Sequence, residues 1–306
     1  MVRKSLRLCV TLALALGTAA AGDKPAVPGI SGLSAAQIVD RNVAARGGLQ
    51  AWRAVHTMLL AGKVGAGGNR RATLSVPNPD KKTLGSIAPQ RPAEEVQLPF
   101  RMELERPRKM RFELDFNGKT AVQVYDGSNG WKLRPFLNRL EVEPYTAEEL
   151  KIASTQADLD GPLVDYAAKG SSVALDGMEK VEGRDTYKLK LTMKNGQVTH
   201  VWIDAQTFLE TKIEGQPRRL DGTYHPVEVY FRDFRTVEGL QIPFVLETKV
   251  LPVEKTALGL RDTPVPVEKI ILDKVVVNPK LEESRFTKPN VGAAVSGKSG
   301  TIPGKS

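Results

Sequence analysis

The sequence predicts a mainly β protein of the α+β class, built on one large curved antiparallel sheet with helices over its apolar face. Apolar and charged residues alternate strictly in "LPFRMELER" (98–106) and "KMRFELDF" (109–116), which is typical of strands with one wet and one apolar face. Comparable segments recur about ten or eleven times, whereas helical spacing occurs in only two regions. So few helices over so many strands leave room for a cavity on the apolar face.

The N-terminal segment, residues 1–21, has the features of a secretory signal peptide. Three basic residues precede an apolar run at Leu8–Leu16, and the small residues Ala19–Ala21 suit cleavage near Ala21. Cys9 lies within this segment, so the mature chain is expected to contain no cysteine. No later stretch is long and apolar enough to predict a transmembrane span. We therefore expect an exported protein that is stabilised without disulfides.

Helical segments are predicted at two places. After a Pro/Gly-rich linker at residues 22–33, Ser34 and Gln37 form the capping box of a first helix. A short helical piece, "LQAWRAV" (49–55), follows the glycines that end this helix. The second region begins at Thr146, where "TAEE" forms another capping box.

The rest of the chain is predicted as strands joined by tight turns, with Asn117-Gly118 and Asn195-Gly196 as hairpin turns. A long Gly- and Pro-rich loop, Gly65–Glu95, contains at most a weak strand at Ala72–Val76. The predicted strands are TMLLAGKV, LPFRMELER, KMRFELDF, TAVQVY, WKLRPF, YKLKLTM, VTHVWID, FLETKIEG, HPVEVYFRDFRTV, LQIPFVLETKVL and EKIILDKVVVN.

The stretch "QADLDGPLVDYAAKG" (156–170) concentrates the aspartates Asp158, Asp160 and Asp165. Such carboxylates can bind a metal, accept a phosphoryl group or have a structural role. A calcium loop counted from Asp158 fails, because the glycine comes too early and a proline occupies a ligand position. A phosphoryl-accepting aspartate would follow an apolar strand, but the preceding residues have helical spacing. We therefore predict that Asp158 and Asp160 cap a following helical turn whose apolar residues pack inward.

No motif in the sequence predicts an enzyme, a metal site or a cofactor. The histidines His56, His200 and His225 have no metal-ligand spacing, and neither a nucleophile elbow nor a phosphate loop is present. A hydrolase with a site hidden from sequence reasoning remains an alternative. The formal net charge of +9 is spread along strands and loops, which indicates a solvated surface and no nucleic-acid partner.

Several of these segments resemble one known family. They are "VYDGSNGWKLRPF" (124–136), the aspartate-rich stretch 156–170, "KVEGRDTYKLKLTMKNGQVTHVWIDAQTFLETKI" (180–213) and "DFRTVEGLQIPF" (233–244). They are similar to the periplasmic outer-membrane lipoprotein-sorting proteins, distant relatives of the lipoprotein carrier LolA, over about residues 35–277. The resemblance implies a half-open antiparallel β-barrel of about 10–11 strands, with helices covering the concave face as a lid.

The resemblance also implies a function. A periplasmic protein of this fold, with its domain at residues 34–291 and a disordered tail at 292–306, is expected to shield lipid or lipoprotein acyl chains, possible cargo for the outer membrane. We expect it to act as a monomer. The alternative is an envelope regulatory protein that senses lipids or lipoproteins or recognises another envelope protein, without carrier activity. The predicted cavity residues are Phe100, Met102, Leu104, Met110, Phe112, Leu114, Val122, Val124, Leu189 and Leu191 from strands, with Leu159 and Leu163 from the lid.

Overall fold

The structure is a computed structural model that describes residues 32–65, 97–135, 139–220, 222–254 and 265–291. The chain separates into two units, Met1–Leu33 and Ser34–Ser306, and the architecture belongs to the second. The predicted signal peptide, most of the predicted linker, the loop after Gly65 with its weak strand, and the predicted tail lie outside the described residues.

The described residues form three α-helices, fifteen strands and a 3-10 helix at Glu283–Phe286. The helices are α1 (Ala35–Ala45), α2 (Leu49–Arg53) and α3 (Ala147–Gln156). The strands are β1 (Thr57–Gly65), β2 (Gln97–Glu105), β3 (Lys109–Phe116), β4 (Lys119–Tyr125), β5 (Gly130–Arg134), β6 (Arg139–Pro144), β7 (Ser172–Val181), β8 (Arg184–Thr192), β9 (Val198–Asp204), β10 (Glu210–Glu214), β11 (Arg218–Leu220), β12 (Thr223–His225), β13 (Val227–Val237), β14 (Leu240–Val250) and β15 (Glu268–Val277).

Thirteen of these strands form one antiparallel sheet, in the order β6-β5-β4-β3-β2-β1-β15-β14-β13-β10-β9-β8-β7. Strands β6 and β7 are the two edges, so the sheet does not close on itself. The hairpin between β3 and β4 turns at Asn117 and Gly118, whose positive φ angles of 49° and 71° suit a two-residue turn. The predicted fold class, a large antiparallel sheet with few helices, is confirmed.

Four strands were not predicted. Strand β6 is short, and β7 is interrupted by Asp176-Gly177, which form a bulge within the strand although this dipeptide is typical of turns. Strands β11 and β12 have three residues each and pair only with each other. The count of about eleven strands was therefore too low.

Both predicted capping boxes are present. The side chains of Ser34 and Thr146 each accept the backbone N–H three residues on, and Gln37 and Glu149 reach back to the cap. In contrast, the residues after α3 form consecutive turns and no regular helix, because Gly161 and Asp165 adopt positive φ angles of 77° and 53°. The prediction that Asp158 and Asp160 cap a helical turn here is wrong, because their carboxylates accept from the side chains of Lys169 and Arg106, whereas the predicted inward packing of the apolar residues is present at Leu163 and Val164.

The 3-10 helix lies on the face of β2 and β3 that carries their charged residues. Arg285 donates to Glu103 at 2.8 Å and to Glu113 at 3.0 Å, and Phe286 is buried beside it. In the described part of the chain, no helix has the length and apolar character needed to cross a bilayer.

Candidate functional site

One face of the main sheet is lined by apolar side chains, and we call it the apolar face. Cross-strand pairing places six predicted residues on it: Phe100 opposite Leu114, Met102 opposite Phe112, and Leu104 opposite Met110. The rings of Phe100 and Phe112 stack with their centroids 5.7 Å apart. Met102, Phe112 and Leu114 are only half-buried, so the face retains apolar surface that a ligand can cover.

The pairing of successive strands shows that the apolar face extends across the middle of the sheet as far as β8. There Leu189 and Leu191, two further predicted residues, pair with Val201 and Thr199 and are fully buried. Half-buried apolar side chains lie on the same face between β2 and β8: Leu60, Ile270, Leu246, Phe231, Val229 and Ile213.

The structure places Val122 and Val124 apart from the other predicted residues. They pair with Glu113 and Arg111, so their side chains lie on the opposite face of the sheet. There they form a buried cluster with Leu133. The two-residue hairpin turn sets this register, which gives the odd-numbered residues of β4 to the apolar face.

Helix α3 covers part of the apolar face. Its Glu149 forms an ion pair with Lys132 of β5, and the hydroxyl of Tyr145 donates to Gln123 Oε1 at 3.4 Å. Both Lys132 and Gln123 lie on the apolar face, by their pairing with each other and with β3. Gly130 makes this approach possible, because a Cβ at that position would collide with the Tyr145 ring.

The residues that follow α3, 157–170, form what we call the lid segment. It contributes the predicted residues Leu159 and Leu163, which are both buried. Leu163 lines a small cavity of about 100 Å³ together with Val201, Ile213 and Phe231. These three residues belong to the apolar face, so the lid segment covers this face near β9, β10 and β13.

The aspartates of the lid segment are bound by cations of the chain. Lys169 donates to Asp158 Oδ1 at 2.9 Å, to Asp160 Oδ1 at 2.6 Å and to the Gly161 carbonyl at 2.6 Å. Within the described ranges, no group of three or more His, Cys, Asp or Glu side chains is arranged to hold a metal ion. The acidic stretch therefore forms an internal ion-pair network.

Three arginines from outside the lid segment anchor it. Arg106, in the β2–β3 turn, donates to Asp160 Oδ2 at 2.7 Å, and Arg46, at the end of α1, donates to the Asp160 carbonyl at 2.9 Å. Arg53 of α2 binds both oxygens of Asp165, at 2.9 and 2.6 Å. Two-point guanidinium contacts hold a carboxylate in a fixed orientation.

The pKa values of the two neighbouring carboxylates, Asp158 and Asp160, are shifted in opposite directions. Burial, together with the nearby Asp160 carboxylate, raises the pKa of Asp158 to about 6 although Lys169 opposes the shift. Burial also acts on Asp160, but hydrogen bonds from Asp158, Lys169 and Arg106 hold its pKa below the usual value. Asp160 is therefore the ionised centre of the network, and Asp158 is the group that takes up a proton first.

A larger cavity of about 1200 Å³ opens beside the lid segment. It shares Gly161, Pro162 and Ile213 with the small cavity, so the two adjoin. None of the twelve predicted residues lines it. Its polar lining comes from the β2–β3 turn, the end of α3, the lid segment, the β8–β9 turn, β10 with the residues after it, and β13. It includes Arg108, Ser154, Thr155, Gln156, Lys194, Asn195, Gln197, Glu214, Gln216 and Glu228.

Sequence reasoning missed the anchoring arginines and the polar cavity. Arg106 lies 54 positions from Asp160, and Arg53 lies 112 positions from Asp165. No periodicity or short motif links residues at such separations. A local signal existed only for Lys169, which follows Asp160 within the same short stretch.

Comparison with solved structures identifies the fold. A LolA superfamily protein from Nitrosomonas europaea matches with a TM-score of 0.51 and 12% identity, over 84% of this chain and 98% of that chain. The fold is LolA-like. Further matches are a domain assigned as an outer membrane lipoprotein-sorting protein from Vibrio parahaemolyticus (TM-score 0.46, 11% identity, 83% and 96% covered) and a DUF1329 family protein from Desulfovibrio piger (0.48, 13%, 84% and 97%).

The predicted structural resemblance to the LolA superfamily is thus confirmed at the level of fold. No protein-family model and no curated protein matches the sequence. Because the identities are only 11–13%, these matches show the fold and not the function.

Proposed function

We propose that this protein is exported to the periplasm and binds the acyl chains of a lipid or lipoprotein against its apolar face, beneath α3 and the lid segment. The observation that carries the proposal is the half-buried apolar surface at Met102, Phe112 and Leu114. An ordinary core would bury such side chains fully, whereas a binding face keeps them accessible to a ligand. The predicted signal peptide supports export.

The free energy available from this face is sufficient for binding. Burial of hydrocarbon contributes about 0.8 kcal/mol per methylene. One acyl chain then gains on the order of 10 kcal/mol before the cost of ordering the ligand and the lid. No catalytic step is part of the proposal.

The proposed contacts are the ten predicted residues other than Val122 and Val124. Six lie on β2 and β3, two on β8 and two on the lid segment. The buried ones among them, such as Leu104 and Leu189, form the floor and walls of the face. The half-buried ones are the proposed direct contacts.

The test measures binding of a fluorescent fatty-acid probe by the mature protein. Phe112→Glu places a charge in the middle of the apolar face and is expected to weaken binding at least about 10-fold, since an unpaired charge cannot be buried against hydrocarbon. The matched control is Leu140→Glu, an exposed apolar residue of the edge strand β6, which is expected to leave binding unchanged. Circular dichroism checks that both variants are folded.

Native mass spectrometry of the protein purified from its own periplasm, with organic extraction, would identify a co-purifying lipid or acylated polypeptide. A ligand-free protein that also ignores the probe, or a folded Phe112→Glu variant that binds normally, would contradict the proposal. A protein partner recovered without any lipid would favour the regulatory alternative.

A further inference from the structure

We infer that the ligand is an amphiphile with an anionic, phosphate-bearing group, and that this group binds in the larger cavity at Arg108 and Lys194. The inference rests on the proposed function, because it extends the acyl-binding face to a polar end. It follows from which charges of the cavity lining already have partners.

Among the described residues of this lining, every acidic side chain already accepts hydrogen bonds from other groups of the protein. Asp158 accepts from Lys169 at 2.9 Å, and Glu228 accepts from Lys212 at 2.6 Å and from the Tyr230 hydroxyl at 2.7 Å. Glu214 accepts the backbone N–H of His200 at 2.9 Å and contacts its ring nitrogen at the same distance. The lining therefore offers little free acceptor capacity to a cationic ligand.

The cations of the lining differ in whether they already have an ion-pair partner. Lys169 is bound by both aspartates of the lid segment. For Arg108 and Lys194, which also line the cavity, no ion pair forms with any other residue in the described part of the chain. These two positive charges are therefore available to a ligand, and guanidinium and ammonium groups are the common protein partners of phosphate.

The position of Lys194 suits this role. Its methylene groups lie against Gly170, at the end of the lid segment, where a Cβ would meet them at 3.2–3.3 Å. The aliphatic stem is thus supported by the lid, which leaves the ammonium group for the cavity. Gln156, Asn195 and Gln197 add neutral amide donors to the same lining.

The apolar part of the ligand has a continuous route. The larger cavity meets the small apolar cavity at Gly161, Pro162 and Ile213, and Ile213 belongs to the apolar face. A tail on the apolar face and a phosphate-bearing headgroup in the larger cavity therefore occupy adjoining volumes.

The experiment compares three lipids with the same acyl chain by isothermal titration calorimetry: lysophosphatidylglycerol, zwitterionic lysophosphatidylcholine and neutral monoacylglycerol. The wild-type protein is expected to bind the anionic lipid about 10-fold more tightly than the other two, equivalent to about 1.4 kcal/mol. The preference should shrink as salt is raised, because exposed charges are screened.

Variants test whether Arg108 and Lys194 cause the preference for the anionic lipid. The double variant Arg108→Gln, Lys194→Gln is expected to lose the preference while it binds monoacylglycerol like the wild type. Lys194→Arg should retain the preference. Lys190→Gln, which removes an exposed lysine that does not line the cavity, serves as the control and should change nothing.

The outcomes separate the two proposals. Equal affinity for all three lipids would overturn the anionic site and leave the acyl-binding function standing. Binding of none of them would overturn both. Glycerol phosphate alone is expected to bind weakly; if it binds as tightly as the lipid, the cavity takes a soluble anion and the amphiphile inference is wrong.

Discussion

Replacing Lys169 by methionine tests whether the lid segment is held by its ion-pair network. The ammonium group makes three contacts, to Asp158, Asp160 and the Gly161 carbonyl, and only 17% of the side chain is exposed. Loss of one partner from a buried ion pair costs about 3–5 kcal/mol. Asp160 keeps its contact with Arg106, and methionine keeps most of the apolar stem, so we expect a loss of about 2–3 kcal/mol.

The assay is urea unfolding followed by tryptophan fluorescence. With a slope of roughly 2–3 kcal/mol per M, the unfolding midpoint should fall by about 1 M. The matched control is Lys180→Met, which removes one partner of the exposed Lys180–Asp185 pair, with 71% and 63% of the two side chains accessible. Its effect should stay below about 0.5 kcal/mol. Equal effects of the two substitutions would refute the network's contribution.

The loss of stability in Lys169→Met is also expected to depend on pH. In the folded protein the pKa of Asp158 is raised to about 6, so this carboxyl costs stability when it is ionised, above that pH. Removing Lys169 takes away the cation that offsets this cost. The deficit of Lys169→Met should therefore be larger at pH 8 than at pH 5, where Asp158 is protonated and needs no cation. A deficit that is the same at both values contradicts this assignment.

Two further predictions concern the buried carboxyl groups of Asp158 and Glu103. Asp158→Asn should raise the free energy of unfolding at pH 8, and the gain should vanish below about pH 4, where the wild-type carboxyl is also neutral; a loss of stability at every pH in urea titrations would contradict it. Burial tends to raise the pKa of Glu103, but hydrogen bonds from Arg285 and Arg101 hold it below the usual value. Arg285→Leu should thus cost about 3 kcal/mol near neutral pH and less below about pH 4. The control Arg139→Leu, at an exposed pair, should cost under about 0.5 kcal/mol by the same measurement.

Strands were predictable wherever the information was local. The alternation in β2 and β3 and the Asn117-Gly118 turn needed only neighbouring residues, and all three are present as predicted. The placement of Val122 and Val124 on the opposite face was also within reach, because a two-residue turn pairs residue 116 with residue 119 and fixes every later pair. Apolar parity alone, applied to each strand separately, cannot supply that register.

The lid segment was predictable only in part. Its apolar residues Leu159 and Leu163 are buried, in agreement with their spacing in the sequence. Its backbone was not predicted, because Gly161 and Asp165 take left-handed conformations that break a helix. The contacts that fix it come from arginines on α1, α2 and the β2–β3 turn, and those depend on the tertiary fold.

The manner in which the lid is anchored bears on how a binding face stays usable. A lid held mainly by apolar contacts would compete with the ligand for the same surface, since both would gain from burying it. In this protein the lid buries Leu159 and Leu163, but it is also held by ion pairs of Asp160 with Arg106 in the β2–β3 turn and of Asp165 with Arg53 of α2. Under the proposed function, an acyl chain that covers the half-buried surface at Met102 and its neighbours would not need to break these ion pairs. The lid would then stay attached while the apolar face is occupied, which is the arrangement that the proposed function requires.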